Sequence, residues 1–419
     1  MSSKKTGLYF LLISIHGLIR GKNLELGRDA DTGGQTLYVV ELARALGERE
    51  DVARVDLVTR RVIDPALDSD YAEIEEQLSD KVRIVRVDAG PEEYIPKEEL
   101  WDHLDTFTDN LTRWLGEQSQ RPDIVHSHYA DAGYVGVRLA NLLAVPLIHT
   151  GHSLGRDKRK RLLAGGVSRD AIENTYNMSR RVAAEEELLA NADLVITSTR
   201  NEIESQYALY DYYNPDCMSV IPPGTNLERF HPPGDGEEYP VLEKSKPFLR
   251  DMSKPIVLAL SRPDERKNIP VLLEAFGRSP ELKEAANLLL IAGNREDVRD
   301  LDSGAQQVLT QLLLDMDACD LWGSVALPKQ HTVDDIAEVY RAVSHGRGVF
   351  INPAMTEPFG LTLLEAAACG LPLVATENGG PVDIISNCSN GILVDPLDAD
   401  AIAEALLELL KKPERWDEA

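Results

Sequence analysis

At 419 residues the chain exceeds what one ordinary hydrophobic core serves, so two domains are the natural division. Its 43% hydrophobic and 27% charged residues are those of a globular protein. The 44 basic and 70 acidic side chains leave a net charge of −26, which argues against non-specific binding to nucleic acid or to an anionic membrane and leaves anionic ligands to local clusters of cations.

The N-terminal stretch "MSSKKTGLYFLLISIHG" sets lysines before an apolar run, as a signal peptide does, but no small-residue cleavage site follows. It reads as a first buried strand. No apolar run approaches the roughly 20 residues of a membrane span. After this strand, "DADTGGQTLYVV" places Gly33 and Gly34 between an acidic loop and a helical pattern. Glycine there serves either a tight turn or the close approach of a ligand to bare backbone. Further apolar, β-branched runs follow: "VDLVTR", "VRIVRVD", "DIVHSH", "PLIHTG" and "LVITS", then "IVLALS", "NLLLIAG", "GVFINP", "PLVAT" and "GILVD". Continuous apolar strands alternating with helical patterns predict parallel sheets covered on both faces. The proline-rich, charged stretch 222–255 reads as a linker region, dividing the chain into domains 1–235 and 236–419. Cys217, Cys319, Cys369 and Cys388 lack metal or disulfide spacing, and a reducing cytoplasmic compartment is expected.

Ligands of open parallel sheets bind beyond the carboxyl ends of the strands. Two sheets in succession predict a cleft between them, and four loops fall where such a cleft needs them. In "SRPDERKN", Arg262 and Lys267 follow a strand and can reach one pyrophosphate, unless they are ordinary surface charges. In "TEPFGLTLLE", Glu357 and Glu365 flank a helix start whose amides at Gly360, Leu361 and Thr362 suit phosphate oxygens, while the carboxylates suit sugar hydroxyls. "GHSLGRDKRKR" gathers Arg156, Lys158, Arg159, Lys160 and Arg161 in an acidic protein, and "MSRRVAAEEE" adds Arg180 and Arg181. Such a cluster suits a sugar phosphate, although most of its members singly fit a salt-bridged surface. His152 alone reads as a satisfied core histidine and Ser153 as a helix cap. "RDAD" and "DSD" have the spacing of metal-binding pairs but end no apolar strand, so no metal site is assigned.

The "EPFGLTLLE" block resembles the Glu-x7-Glu signature of retaining glycosyltransferases with the GT-B fold, two facing Rossmann-like doubly wound α/β domains with the active site in the cleft between them. "HGLIRGKNLELGRDADTGGQ", "YIPKEELW", "GHSLGRDK", "NTYNMSRRVAAEE", "FINPAMTEPFGLTLLEAAACGLP" and "NGGPVDI" are similar to the glucosyltransferase region of the sucrose-phosphate synthase family, from about residue 7 to about 410. The resemblance implies transfer of glucose from a nucleotide sugar, UDP-glucose by analogy, to fructose 6-phosphate. It implies donor binding by Arg262, Lys267, Glu357, Gly360, Leu361, Thr362 and Glu365, with Gly33 and Gly34 close to the sugar and reacting phosphate. It implies acceptor binding by Gly34, Gln35, Lys97, Ser153, Lys158 and Arg181, with Arg180 as a helper, and places His152 by the donor sugar. Catalysis would then rest on His152, Arg262, Lys267 and Glu357, with no required cofactor and at most stimulation by a divalent cation. A sucrose synthase using free fructose and a silent nucleotide-sugar-binding protein are the alternatives. The family's phosphatase domain and the helices that cross back to the first domain are not expected in the sequence, so a separate sucrose-phosphate phosphatase is the expected partner. Nucleic acid and membrane are not expected partners.

Overall fold

The computed structural model describes residues 7–419 except 26, 27, 30 and 235. The chain forms two compact units that divide between Pro222 and Pro223. In the first, the strands are β1 (Leu8–Ile13), β2 (Val52–Arg60), β3 (Glu75–Gln77), β4 (Val82–Val87), β5 (Ile124–His128), β6 (Leu147–Thr150), β7 (Leu194–Thr197) and β8 (Met218–Val220). Their spatial order is β3-β4-β2-β1-β5-β6-β7-β8, and β3 is antiparallel to β4 while the other pairings are parallel. The helices are α1 (Gly34–Glu48), α2 (Leu104–Glu117), α3 (Tyr129–Leu143), α4 (Gly155–Ala164), α5 (Arg169–Tyr176) and α6 (Met178–Asn191).

In the second unit β9 (Ile256–Ser261), β10 (Asn287–Ala292), β11 (Val325–Ala326), β12 (Val349–Asn352), β13 (Leu373–Thr376) and β14 (Gly391–Val394) form a parallel sheet in the order β11-β10-β9-β12-β13-β14. It carries α7 (Pro270–Arg278), α8 (Pro280–Ala285), α9 (Ser303–Ala318), α10 (Val333–His345), α11 (Leu361–Ala368), α12 (Pro381–Cys388), α13 (Ala399–Lys411) and α14 (Pro413–Glu418).

The continuous apolar strands have the cause the sequence suggests. Leu11 and Ile13 of β1 pack on one face with Phe107 of α2 and Val135 of α3. Leu12 points to the other face, among Val39, Val40 and Ala43 of α1. In β9, Val257 and Ala259 join Leu272 of α7 and Leu406 of α13, while Ile256 and Leu258 join Tyr340 of α10 and Leu363 of α11. A strand buried on both faces has no polar alternation to preserve.

Two differences from the sequence reading have plain reasons. β3, β8 and β11 went unread because each spans only two or three residues, too short for a hydrophobic period. The linker assigned to 222–255 is mostly part of the second unit, so the boundary falls at 222/223 and not at 235/236. Pro240–Phe248 forms a 3-10 helix, and Phe230, Val241 and Leu249 enter the core beside Tyr340. Arg341 donates to the Arg229 carbonyl at 3.0 Å, fixing the same segment. Prolines here shape the chain without loosening it. Among the described residues no helix is long and apolar enough to cross a membrane.

Candidate active site

Strand order locates the site before any side chain is considered. In the first unit the order reverses between β1 and β5, and in the second between β9 and β12. Ligands of doubly wound sheets settle beyond the carboxyl ends at such a switch point. His16 and the Gly33 turn follow β1, and His128 and Tyr129 close β5. Arg262 and Lys267 follow β9, and Glu357 follows β12.

In the first unit Gly33 caps α1 with φ −144°, extended backbone open to any residue. A Cβ added there meets no atom within 4 Å. Among the described residues neither the backbone angle nor packing calls for glycine there. Gly34 opens α1, and the amides of Gly34 and Gln35 have no backbone acceptor among the described residues. The side-chain Nε2 of Gln35 donates to Ser14 Oγ at 3.4 Å.

A small pocket beside α4 and α6 is lined by Lys97, Glu98, Trp101, Tyr129, Lys158, Tyr176 and Arg181. Arg181 is buried, paired with Glu185 at 2.9 Å, donates to the Ser153 carbonyl at 2.7 Å, and lies 4.5 Å over the Tyr129 ring. Ser153 Oγ lies 3.4 Å from the same guanidinium. Lys97 is held by Asp31 and, at 3.5 Å, by Glu98. Lys158 has no carboxylate partner among the described residues and rests 3.7 Å over the Tyr176 ring. Burial first, then repulsion from Arg181 and Lys97, pushes its amine down to about 8. Arg180 is separated from this group, since it donates to the Trp101 carbonyl at 2.7 Å and pairs with Asp102 on the surface. The basic cluster likewise divides. Arg156 pairs with Glu186 and Asp211, Arg161 pairs with Asp157, and Lys158 alone of its five cations lines the pocket.

Four histidines gather at the ends of β5 and β6. His128 Nδ1 and His152 Nε2 lie 3.1 Å apart, His126 meets Thr150 Oγ1 at 2.9 Å, and His149 meets Ser127 Oγ at 2.9 Å. Burial pushes His126 and His152 down to about 3, so both stay neutral across the working pH range. His152 at φ 57° and Tyr129 at φ 77° hold left-handed backbone that side-chain-bearing residues rarely adopt. Strain of this kind collects at functional turns. The sequence reading missed Tyr129, because backbone strain leaves no mark on composition or spacing.

In the second unit Lys267 Nζ meets Glu357 Oε2 at 2.7 Å, and Asn352 Nδ2 donates to that same oxygen at 3.0 Å. Asn352 was also missed, although its place as the last residue of an apolar strand was a usable signal. Glu357 is seated by a glycine pair: the Gly380 amide donates to its carbonyl at 2.9 Å. A Cβ on Gly379, at φ 106°, would lie 2.2 Å from that carbonyl oxygen. Arg262 is exposed, and its guanidinium makes no hydrogen bond or ion pair among the described residues. Gly360 caps α11 with φ 99°, and the amides of Leu361 and Thr362 lack backbone acceptors among the described residues. Glu365, one turn into α11, lies 3.5 Å from the Tyr340 hydroxyl. Burial pushes its carboxyl up to about 7, against the pull of Arg229 and of that hydroxyl.

A model of the glycosyl transferase 4-like domain matches residues 33–224, and one of the glycosyl transferases group 1 matches residues 241–419. With the two doubly wound sheets, these matches set the class: the chain has the GT-B fold and carries both domains of a glycosyltransferase. Probable sucrose-phosphate synthase 1 of Oryza sativa subsp. indica is 45% identical over 99% of this chain and 44% of its own length. Probable sucrose-phosphate synthase 3 of Arabidopsis thaliana is 46% identical over 99% of this chain and 46% of its own. The solved sucrose-phosphate synthase from Thermosynechococcus elongatus superposes with a TM-score of 0.74 at 28% identity, covering 98% of this chain and 92% of that one. The chain is thus a homologue of the sucrose-phosphate synthases along nearly all its length, and it spans less than half the length of these curated relatives.

Proposed function

We propose that the chain transfers glucose from UDP-glucose to fructose 6-phosphate with retention at the anomeric carbon, releasing sucrose 6-phosphate and UDP. The observation that carries this reading is the buried ammonium of Lys158, which has no ion-pair partner among the described residues and shares one pocket with Lys97 and Arg181 against the single carboxylate of Glu98. A phosphate dianion relieves that repulsion, whereas free fructose brings no charge to it.

On the donor side, Arg262 and Lys267 meet the diphosphate, and the Leu361 and Thr362 amides add donors at a helix start. Glu365 accepts from the ribose hydroxyls, and Glu357, held by Lys267 and Asn352, accepts from the glucose. Neutral His152, with one ring N–H and one acceptor nitrogen, serves as a hydrogen-bond partner of the sugar and not as an acid. The bond from the anomeric carbon to the diphosphate oxygen breaks as the fructose hydroxyl attacks from the same face. The hydroxyl proton passes to the departing phosphate oxygen, whose charge Arg262 and Lys267 stabilise. The product keeps its phosphate, so a phosphatase activity acts on it next.

The test is release of nucleoside diphosphate from UDP-glucose with fructose 6-phosphate, with fructose, and with neither. Release only with the phosphorylated sugar supports the reading. Release with fructose moves the assignment to a sucrose synthase, and donor binding without release moves it to a binding protein.

A further inference from the structure

The mechanism above leaves unused a buried carboxylate between the cationic pocket and the glycine turn. Asp31 is 7% exposed and holds three groups of the 94–97 segment: the Lys97 ammonium, the Lys97 amide at 2.9 Å and the Tyr94 hydroxyl at 3.1 Å. The Tyr94 hydroxyl also reaches Asp29 at 3.1 Å. Asp29 in turn accepts the amides of Asp31 and Thr32, each at 2.7 Å, and the Thr32 hydroxyl at 2.8 Å. Thr32 Oγ1 receives the Leu18 amide at 3.0 Å, and a Cβ on Gly17 would stand 2.9 Å from the Asp31 carbonyl oxygen. Asp29, Asp31 and Thr32 are therefore tied to one another and to the 94–97 segment as one unit, and Gly33 comes two residues after Asp31.

We propose that Asp31 is a positioning residue which, through Lys97, couples occupancy of the cationic pocket to the placement of the Gly33–Gln35 turn. This rests on the reading that the pocket takes a phosphorylated acceptor. An ammonium has three donors. Asp31 and Glu98 engage two of them, which leaves one for a phosphate oxygen. Burial works to raise the Asp31 carboxyl, but Lys97 overcomes it and keeps the group ionised. A buried carboxylate cannot turn to water when Lys97 is drawn toward phosphate, so it follows and carries its loop along. Gly33 has open space where a Cβ would stand, and its carbonyl accepts from the Thr36 amide at 3.0 Å and the Thr36 hydroxyl at 2.7 Å, so the start of α1 moves with it. A phosphorylated acceptor thereby helps to place the backbone that meets the donor.

The experiment compares the full chain with Asp31→Asn and Tyr94→Phe, using inorganic phosphate as probe. Calorimetry gives the affinity, hydrogen exchange reads the amides of residues 32–37, and nucleotide release gives kcat and KM for fructose 6-phosphate. In the unsubstituted chain phosphate should slow exchange across 32–37 by about tenfold. In Asp31→Asn phosphate should still bind within about threefold, but the slowing should vanish and kcat fall by about tenfold or more, with KM changed less. Combined with Lys97→Met, Asp31→Asn should add almost nothing further. Tyr94→Phe loosens the clasp without removing a charge, and should show the same pattern more weakly even if Asp31→Asn folds poorly. Phosphate-induced slowing that survives in both variants overturns the coupling, as does strict additivity with Lys97→Met. Absence of turnover with fructose 6-phosphate in the unsubstituted chain instead overturns the function reading, and the exchange measurement stands independently of it.

Discussion

Lys158 lies in the first turn of α4 and Lys267 ends the 3-10 turn after β9, and their surroundings give them different tests. Lys158 has no ion-pair partner among the described residues, and burial pushes its amine down to about 8, so its charge is lost progressively as pH rises through that value. The requirement for fructose 6-phosphate should therefore rise as pH climbs through about 8, and Lys158→Arg should flatten that rise because guanidinium stays charged. A pH profile of KM unchanged by Lys158→Arg would remove the residue from the phosphate site. Lys158→Ala should raise KM with little effect on kcat. Lys267 is instead paired with Glu357 at 2.7 Å. Lys267→Ala removes a charge from the departing diphosphate and leaves a buried carboxylate to Asn352 alone. Catalytic efficiency in nucleotide release should fall by about a hundredfold or more, and near-normal efficiency would refute the role.

At the scale of elements, the informative features are glycines that look alike in sequence and do different work. Gly379 and Gly380 let the loop after β13 lie against the loop after β12, which seats Glu357. Gly379→Ala would strain a backbone at φ 106° and drive a Cβ into the Glu357 carbonyl. It should cost about 1–3 kcal/mol in urea unfolding and reduce donor affinity as well. Gly33→Ala should behave oppositely. Its φ of −144° suits alanine and its Cβ meets nothing, so stability should change by less than about 0.5 kcal/mol. Turnover should nevertheless drop by about tenfold or more if donor and acceptor approach this backbone closely. Unfolding curves and kcat for the two variants together separate a glycine kept for packing from one kept for a ligand.

At the scale of the molecule, each unit has its own doubly wound sheet, parallel but for β3, and its own core on both faces of that sheet. Ligand-linked stabilisation should therefore divide between them. UDP should slow hydrogen exchange in 262–268 and 356–366, and fructose 6-phosphate should do so in 97–101 and 153–160. Protection of both sets by either ligand alone would contradict the division of donor and acceptor residues between the units.

The parallel sheets, the helix start at 361 and the loops that carry candidate residues were legible in the sequence, because each is a local pattern. Strands buried on both faces must be apolar throughout, and a helix start after Gly360 is written in consecutive residues. Tertiary structure decided what depends on neighbours distant in the chain. Arg180 and Arg181 are adjacent in sequence, and only the fold sends one to Asp102 on the surface and the other under Ser153. Five cations of one helix looked equivalent until carboxylates of other elements paired Arg156 and left Lys158 in a pocket. The clasp of Asp31 on Tyr94 and Lys97 joins residues more than sixty positions apart, and the strain at Tyr129 and His152 is a property of backbone angles. The sequence determined which groups are available and which local structures carry them. Charge compensation, which follows an inverse distance through space and not along the chain, was left to the tertiary structure.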